Sequence, residues 1–210
     1  MLTLYGSKGS GSAIVEAALA VIGAEYRRVD GAEWERSAGY EALKAINPLA
    51  QIPTLVLEDG TVLTESAAIL IHLGLVNPAS GLLPADASKR ASAIRGLVYI
   101  TANCYAAIGV IDYPERWCPD ADETTRQAII AGTRARLHGL WDAFADQFPA
   151  TPWLAGEQVG ALDILASVVS RWSGARAHLA AAKPAFSEVL GRIDSHPVLA
   201  AVWARHWTPK

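Results

Sequence analysis

The spacing of apolar residues changes character about a third of the way along the chain. Through residue 76 they come in short runs separated by glycine and polar residues, at 2–5, 13–22, 25–30, 54–57 and 61–64. The run at 13–22 has helix length and stops at Gly23, while the others have strand length. A strand, helix and strand so closely spaced favour a right-handed parallel crossover, and the Asp59-Gly60 step between the last two runs favours an antiparallel hairpin. A helix over about 66–76, capped by Ser66, follows. Residues 1–76 are therefore expected to form a mixed four-stranded α/β layer, irregular after its second strand.

Beyond that point the rhythm is helical. The stretch NPASGLLPADASK places two prolines and a glycine between periodic segments and reads as a linker at 77–88. From 89 to 210 the pattern predicts an all-helical domain, with helices near 88–112, 122–148, 161–181, 184–195 and 198–207. Breaks fall at Pro114, Pro119, Pro149, Pro152, Pro184 and Pro197. The fold class expected is a thioredoxin-like α/β domain followed by an all-α domain.

Composition narrows the class mainly by exclusion. Of 210 residues, 51% are hydrophobic and 19% charged, ample for a buried core. The net charge of −3 supplies no field that would gather nucleic acid or an anionic membrane, so neither is expected as a partner. The start MLTLYGSKG has no basic segment followed by an apolar one, and no apolar run of about 18 residues is evident, so a cytoplasmic protein is expected. Cys104 and Cys118 stand apart with no metal-ligand spacing, and the five histidines have no acid-base partner at a readable distance along the chain. No metal is expected.

The chemistry is concentrated in NPLAQIPTLVLEDGTVLTES, residues 47–66. A proline ahead of an edge strand removes a ladder donor, which frees the N–H and C=O of Ile52 to meet a ligand backbone. Ser66 and the first amides of its helix suit a carboxylate, and Glu65 beside them suits an ammonium. An α-amino acid at the end of a small peptide carries both charges. In this order and spacing, behind a β-α-β unit, the segment resembles the glutathione-binding half of the cytosolic glutathione transferases. The resemblance rests on Gln51-Ile52-Pro53, whose proline is cis in that family, and on Glu65-Ser66, which holds the γ-glutamyl end of glutathione there. It extends over essentially the whole chain. One departure lies in the helical half: the family carries Ser or Thr three residues before Asp163, and here Gly160 stands at that capping position.

The resemblance implies an enzyme that activates the glutathione thiol and adds it to a hydrophobic electrophile, with no metal. A free thiol has a pKa of about 8.5, and lowering it by about two units needs roughly 2.7 kcal/mol of differential stabilisation. A hydroxyl at the positive end of the first helix supplies such an interaction. Ser10, Ser12 and Tyr5 are the candidates, with Ser7 as a further alternative, while Gly11 falls where bacterial beta-type members carry cysteine. Arg36 or Lys44 is a candidate for the glycine carboxylate of glutathione, and Trp34 for covering it. The implied electrophile pocket lies against the first helix of the second domain, where Tyr99, Asn103 and Val110 fall near one face and Tyr113 and Trp117 follow its end. Trp203 and Trp207 either cover that cleft or dock the last helix. The family is dimeric through the first two helices after the linker, which implies a homodimer here, with Ala91, Ile94 and Val98 facing the partner. A glutathione-dependent lyase, isomerase, dehalogenase or peroxidase, or a non-catalytic glutathione-binding module, fits the same motifs.

Overall fold

The computed structural model describes residues 1–154 and 156–207. Four strands form one sheet in the order β2-β1-β3-β4: β1 (Leu2–Gly6), β2 (Tyr26–Asp30), β3 (Thr54–Val56) and β4 (Val62–Leu63). β1 runs parallel to β2, with Leu2 opposite Tyr26 and Gly6 opposite Asp30, and antiparallel to β3, with Leu4 opposite Leu55. The parallel pair needs a crossover, which α1 (Ser12–Ile22) provides. α1 is buried from Ser12 to Leu19 and ends on Gly23 at φ 69°, the left-handed conformation that glycine adopts without a Cβ penalty.

After β2 the structure departs from expectation: residues read as irregular contain α2 (Ala38–Ile46). Ser37 caps it by accepting from the Tyr40 N–H at 3.2 Å. Tyr40, Leu43 and Ile46 recur at helical spacing along it, and Leu43 is its one fully buried residue. α3 (Ser66–Val76) matches the predicted helix, but the residue at its cap is Glu65 and Ser66 is its first helical residue.

The remainder of the described chain has no strand. α4 (Ala87–Tyr99), a π-helical segment (Ile100–Tyr105) and α5 (Ala106–Asp112) form one continuous rod. Over Ala87–Asp112 that rod is long and apolar enough to cross a membrane by length and composition, contrary to the sequence expectation. In the structure Leu97, Ile100, Cys104 and Ile108 bury it in the common core. α6 (Glu123–Gln147) follows, capped by Asp122, which accepts from the Thr125 N–H at 2.8 Å.

α7 (Ala161–Val169) is buried at every residue. Gly160 lacks a capping side chain, yet half of the capping arrangement survives, because the Asp163 carboxylate accepts from the N–H of Gly160 at 3.0 Å and of Leu154 at 2.8 Å. The single helix expected over 161–181 is two, α7 and α8 (Ala175–Ala182). Ser173 at φ 54° and Gly174 at φ 79° turn the chain between them. α9 (Pro184–Asp194) and α10 (Pro197–His206) complete the fold. One hydrophobic cluster joins Leu4, Ile14 and Leu70 of the sheet layer to Leu162, Leu165 and Val202 of the helices, so α1 lies between the sheet and α7 and α10.

Candidate functional site

The loop from Asn47 to Thr54 is held by its own side chains. Asn47 is buried; its Oδ1 accepts from the Leu49 N–H at 3.1 Å, and its Nδ2 donates to the Gln51 carbonyl at 3.1 Å and to the Thr54 Oγ1 at 2.9 Å. The Thr54 hydroxyl donates to the same Gln51 carbonyl at 2.8 Å. This bracing fixes the turn ahead of β3, where the Ile52–Pro53 peptide is cis. The Ile52 N–H and C=O have no hydrogen-bond partner among the described residues, so both are available to a ligand backbone.

α3 begins at Ser66, three residues after β4 ends at Leu63. Glu65 stands at φ 64° and ψ 110°, a conformation that costs a non-glycine residue about 1–3 kcal/mol and collects at sites where geometry matters. Its carboxylate is exposed and joins no ion pair among the described residues. The Ile69 N–H returns to the Glu65 carbonyl at 3.0 Å, leaving the amides of residues 66–68 as the open end of the helix. An exposed carboxylate next to open amides offers one subsite for an ammonium and one for a carboxylate.

Between β1 and α1 the loop turns on its own serines. The Ser10 hydroxyl lies 2.8 Å from the Ser7 carbonyl and accepts from the Ser12 N–H at 3.2 Å; the Ser12 hydroxyl lies 3.0 Å from the same carbonyl and accepts from the Ser7 N–H at 3.2 Å. The two hydroxyls are 3.0 Å apart. Ser12 is fully buried, Ser10 is 8% exposed, and Ser7 donates its hydroxyl to Glu35. The hydroxyl expected from Ser10 or Ser12 is thus engaged in holding the loop: serine next to free backbone groups bonds them first. Tyr5 is buried on the opposite side of β1 from α1, its Cβ and Cδ1 each 3.3 Å from where a Cβ on Gly31 would stand.

A residue from the helical part fills the gap. A methyl added to Gly11 would overlap the Tyr105 hydroxyl and lie 3.5 Å from the Cδ of Pro53. Gly11 is the cap residue of α1, and its N–H has no partner among the described residues. The Tyr105 ring rests on Trp172 with centroids 5.4 Å apart. Burial first, then the charges of Asp112 and Glu65, push its phenol up to about 12, so it stays protonated at neutral pH.

The sequence from 13 to 75 matches the family described as glutathione S-transferase, N-terminal domain. Over 173 residues the chain is 35% identical to the GST-like protein YncG of Escherichia coli (strain K12), covering 82% of each. The chain belongs to the glutathione S-transferase family. It is also 28% identical over 195 residues to maleylacetoacetate isomerase of Pseudomonas aeruginosa, covering 83% of this chain and 88% of that one. Among solved structures, a glutathione transferase homologue from Sulfitobacter with bound glutathione superposes with a TM-score of 0.84 at 25% identity, covering 97% of each chain.

Within this glutathione transferase fold the other residues singled out from the sequence are scattered. Arg36 is exposed at φ 46°, and Trp34 is 63% exposed in the same short turn. Lys44 pairs with Glu41 at 2.7 Å along α2. Tyr99 is turned into the helical core: its ring packs on Phe144 and Phe148, and its hydroxyl donates to the Leu140 carbonyl at 2.9 Å. Asn103 donates from Nδ2 to the Tyr99 carbonyl at 3.0 Å, and Val110 is half-buried. The shared face expected for these three fails because the π-helical segment adds a residue to one turn, rotating all that follows by about 100° relative to an α-helix. Tyr113 is 38% exposed with the Arg116 guanidinium 4.0 Å from its ring centre, and Trp117 is 67% exposed. Trp203 is buried in the core, whereas the Trp207 Nε1 approaches the β1–α1 loop at Gly9.

Besides Tyr105 and Asn47, the structure adds His206 to the site. Its Nδ1 accepts from the Gly9 N–H at 3.1 Å, and its Nε2 donates to the Glu16 Oε1 at 3.0 Å. Glu16 is buried in α1 and also accepts from the Tyr26 hydroxyl at 2.9 Å. One signal for this network was present: a single carboxylate in the apolar run SAIVEAALAVI needs a buried partner. Among the described residues no group of three or more His, Cys, Asp and Glu is placed to hold a metal.

Proposed function

We propose that the protein binds glutathione and transfers its thiolate to a hydrophobic electrophile. The γ-glutamyl ammonium pairs with Glu65, its carboxylate with Ser66 and the α3 amides, and the peptide backbone with Ile52 between Gln51 and Pro53. Arg36 serves the glycine carboxylate. The observation carrying this reading is the free Ile52 backbone together with the strained, unpaired Glu65 and the open N-terminus of α3. The glutathione-bound Sulfitobacter homologue, alike over nearly its full length, supports it.

The cysteinyl thiol gives its proton to solvent, the sulfur lone pair forms an S–C bond at the electrophile, and a leaving group departs with its electron pair. The enzyme contributes thiolate stabilisation and proximity. Tyr113 and Trp117 at the end of α5 offer apolar area to a flat electrophile. The exposed Val98 on α4, 51% accessible, supports a homodimer packed through that helix, which light scattering at micromolar concentration tests: a 22.3 kDa particle would count against it.

Calorimetry with glutathione tests the binding site. Glu65→Ala should weaken affinity roughly 10- to 100-fold, the cost of a charged hydrogen bond of about 1.5–3 kcal/mol, without unfolding the protein. Unchanged affinity removes the γ-glutamyl placement. The likeness to the Pseudomonas isomerase favours a second reading, in which glutathione adds to a substrate double bond and is expelled after rotation. Thiol consumption separates them: a transferase depletes glutathione with turnover and an isomerase does not.

A further inference from the structure

We infer that Tyr105, which the helical part of the chain brings to the N-terminus of α1, is the side chain that hydrogen-bonds the glutathione thiolate, acting with the Gly11 N–H. This rests on the reading that glutathione binds along Ile52 and Glu65. With its γ-glutamyl end at Glu65 and its backbone on Ile52, the central cysteine of the tripeptide lies next to Pro53 and Gly11. Those are the residues that the Tyr105 hydroxyl touches or approaches: a methyl on Gly11 would meet it, and would stand 3.4 Å from its Cζ and 3.5 Å from the Pro53 Cδ.

Three further observations converge on the same atom. The Tyr105 hydroxyl has no hydrogen-bond partner among the described residues, whereas the Ser10 and Ser12 hydroxyls are engaged with the Ser7 carbonyl. Tyr105 ends the π-helical segment, and π-turns within helices recur where a side chain must be re-aimed at a functional site. Its phenol is held protonated, so it enters the reaction as a donor and keeps its proton throughout while the thiol proton leaves to solvent. The Gly11 N–H, also unpartnered, supplies the second donor, and the field of α1 adds to both. Glycine at 11 is then required by space: any side chain there would displace the hydroxyl.

The test follows the bound thiol by thiolate absorbance against pH in the wild type, Tyr105→Phe and Ser10→Ala, with glutathione affinity measured by calorimetry below the thiol pKa. Phenylalanine keeps the ring on Trp172. Loss of a hydrogen bond to a charged group should raise the thiol pKa by about one to two units and lower kcat near neutral pH by about 10- to 100-fold, with affinity for the protonated thiol nearly unchanged. If Tyr105→Phe is too unstable to titrate, Gly11→Ala reaches the same hydroxyl without altering the tyrosine and should show the same shift. A wild-type titration in the variant, or a shift only in Ser10→Ala, overturns the role of Tyr105 while leaving glutathione binding intact. A wild type that binds no glutathione overturns both.

Discussion

The imidazole of His206 and the carboxylate of Glu16 meet at 3.0 Å, although 190 positions separate them in sequence. Both are buried, and the pair ties the last helix to the first. Through Nδ1 the same imidazole holds the Gly9 N–H, two residues from the α1 cap, so α10 fixes the loop that leads into α1.

His206→Ala should therefore destabilise the protein and loosen that loop together. It removes a hydrogen bond to a buried carboxylate and orphans the Gly9 N–H, a loss of about 2–4 kcal/mol. At this chain length each kcal/mol corresponds to about 2–4 °C of melting temperature. A melting temperature within a degree of wild type would refute the coupling.

Glu16 also predicts an acid limit. Burial raises its pKa, but the hydrogen bonds from His206 and the Tyr26 hydroxyl and the Arg28 charge outweigh it and hold the carboxyl below its ordinary value. A depressed folded pKa contributes stability that is present above the unfolded value and is lost as pH falls through the folded one. Urea midpoints should drop below about pH 4.5 in the wild type and less steeply in Glu16→Gln, which lacks the titrating group. Parallel profiles would exclude Glu16 as a source of the loss.

At the alkaline end the sign reverses. Burial pushes the Cys104 thiol up to about 12, and burial with the charge of Glu16 pushes the Tyr26 phenol up to about 12. Both stay protonated in the folded chain after the unfolded chain has ionised, so their contribution is whole below the ordinary values of 9.0 and 10.0 and disappears as pH climbs toward 12. Melting temperature should fall from about pH 9 upward, with a shallower decline in Cys104→Ala than in the wild type. An equal slope in that variant would exonerate the thiol.

Asn47, the first residue of the loop ahead of β3, bridges Leu49, Gln51 and Thr54. Asn47→Ala leaves the Gln51 carbonyl short of one donor and frees the turn that presents Ile52. Stability should drop by about 1–3 kcal/mol and glutathione affinity should fall with it. Full affinity in a correctly folded Asn47→Ala would show that the bracing is structural alone.

What the sequence made legible was local. Ile52, Pro53, Glu65 and Ser66 lie within fifteen positions of one another, and their backbone chemistry can be read without knowing what packs on them. α2 is only nine residues long with Leu43 alone buried. Although Tyr40, Leu43 and Ile46 recur at helical spacing, so short a run between a strand and a proline-bearing loop does not separate from irregular chain by pattern alone. The break between α7 and α8 turns on Ser173 and Gly174, and a single glycine in an alanine-rich run is a weak stop signal. Tyr105 and His206 reach the site from distant helices, one of them after a π-turn that shifts the helical register. Periodicity grouped Tyr99 with Val110 across that turn, whereas in the structure Tyr99 packs in the helical core and it is Tyr105 that lies beside the loop.

The contact between Tyr105 and Gly11 predicts a specific non-additivity. Tyr105→Phe deletes the hydroxyl; Gly11→Ala keeps it but takes its place, since the Gly11 backbone at φ −60° and ψ −14° suits alanine and only space opposes the methyl. Each change should raise the pKa of bound glutathione by about one to two units. In the double variant the methyl has no hydroxyl to displace, so the shift should match that of Tyr105→Phe alone and the coupling should be about 1–3 kcal/mol, within the range for residues in direct contact. Thiolate titration of the four proteins measures it. Additive shifts would mean that the two residues act on the thiol separately, the tyrosine as a donor and the glycine only through its exposed N–H.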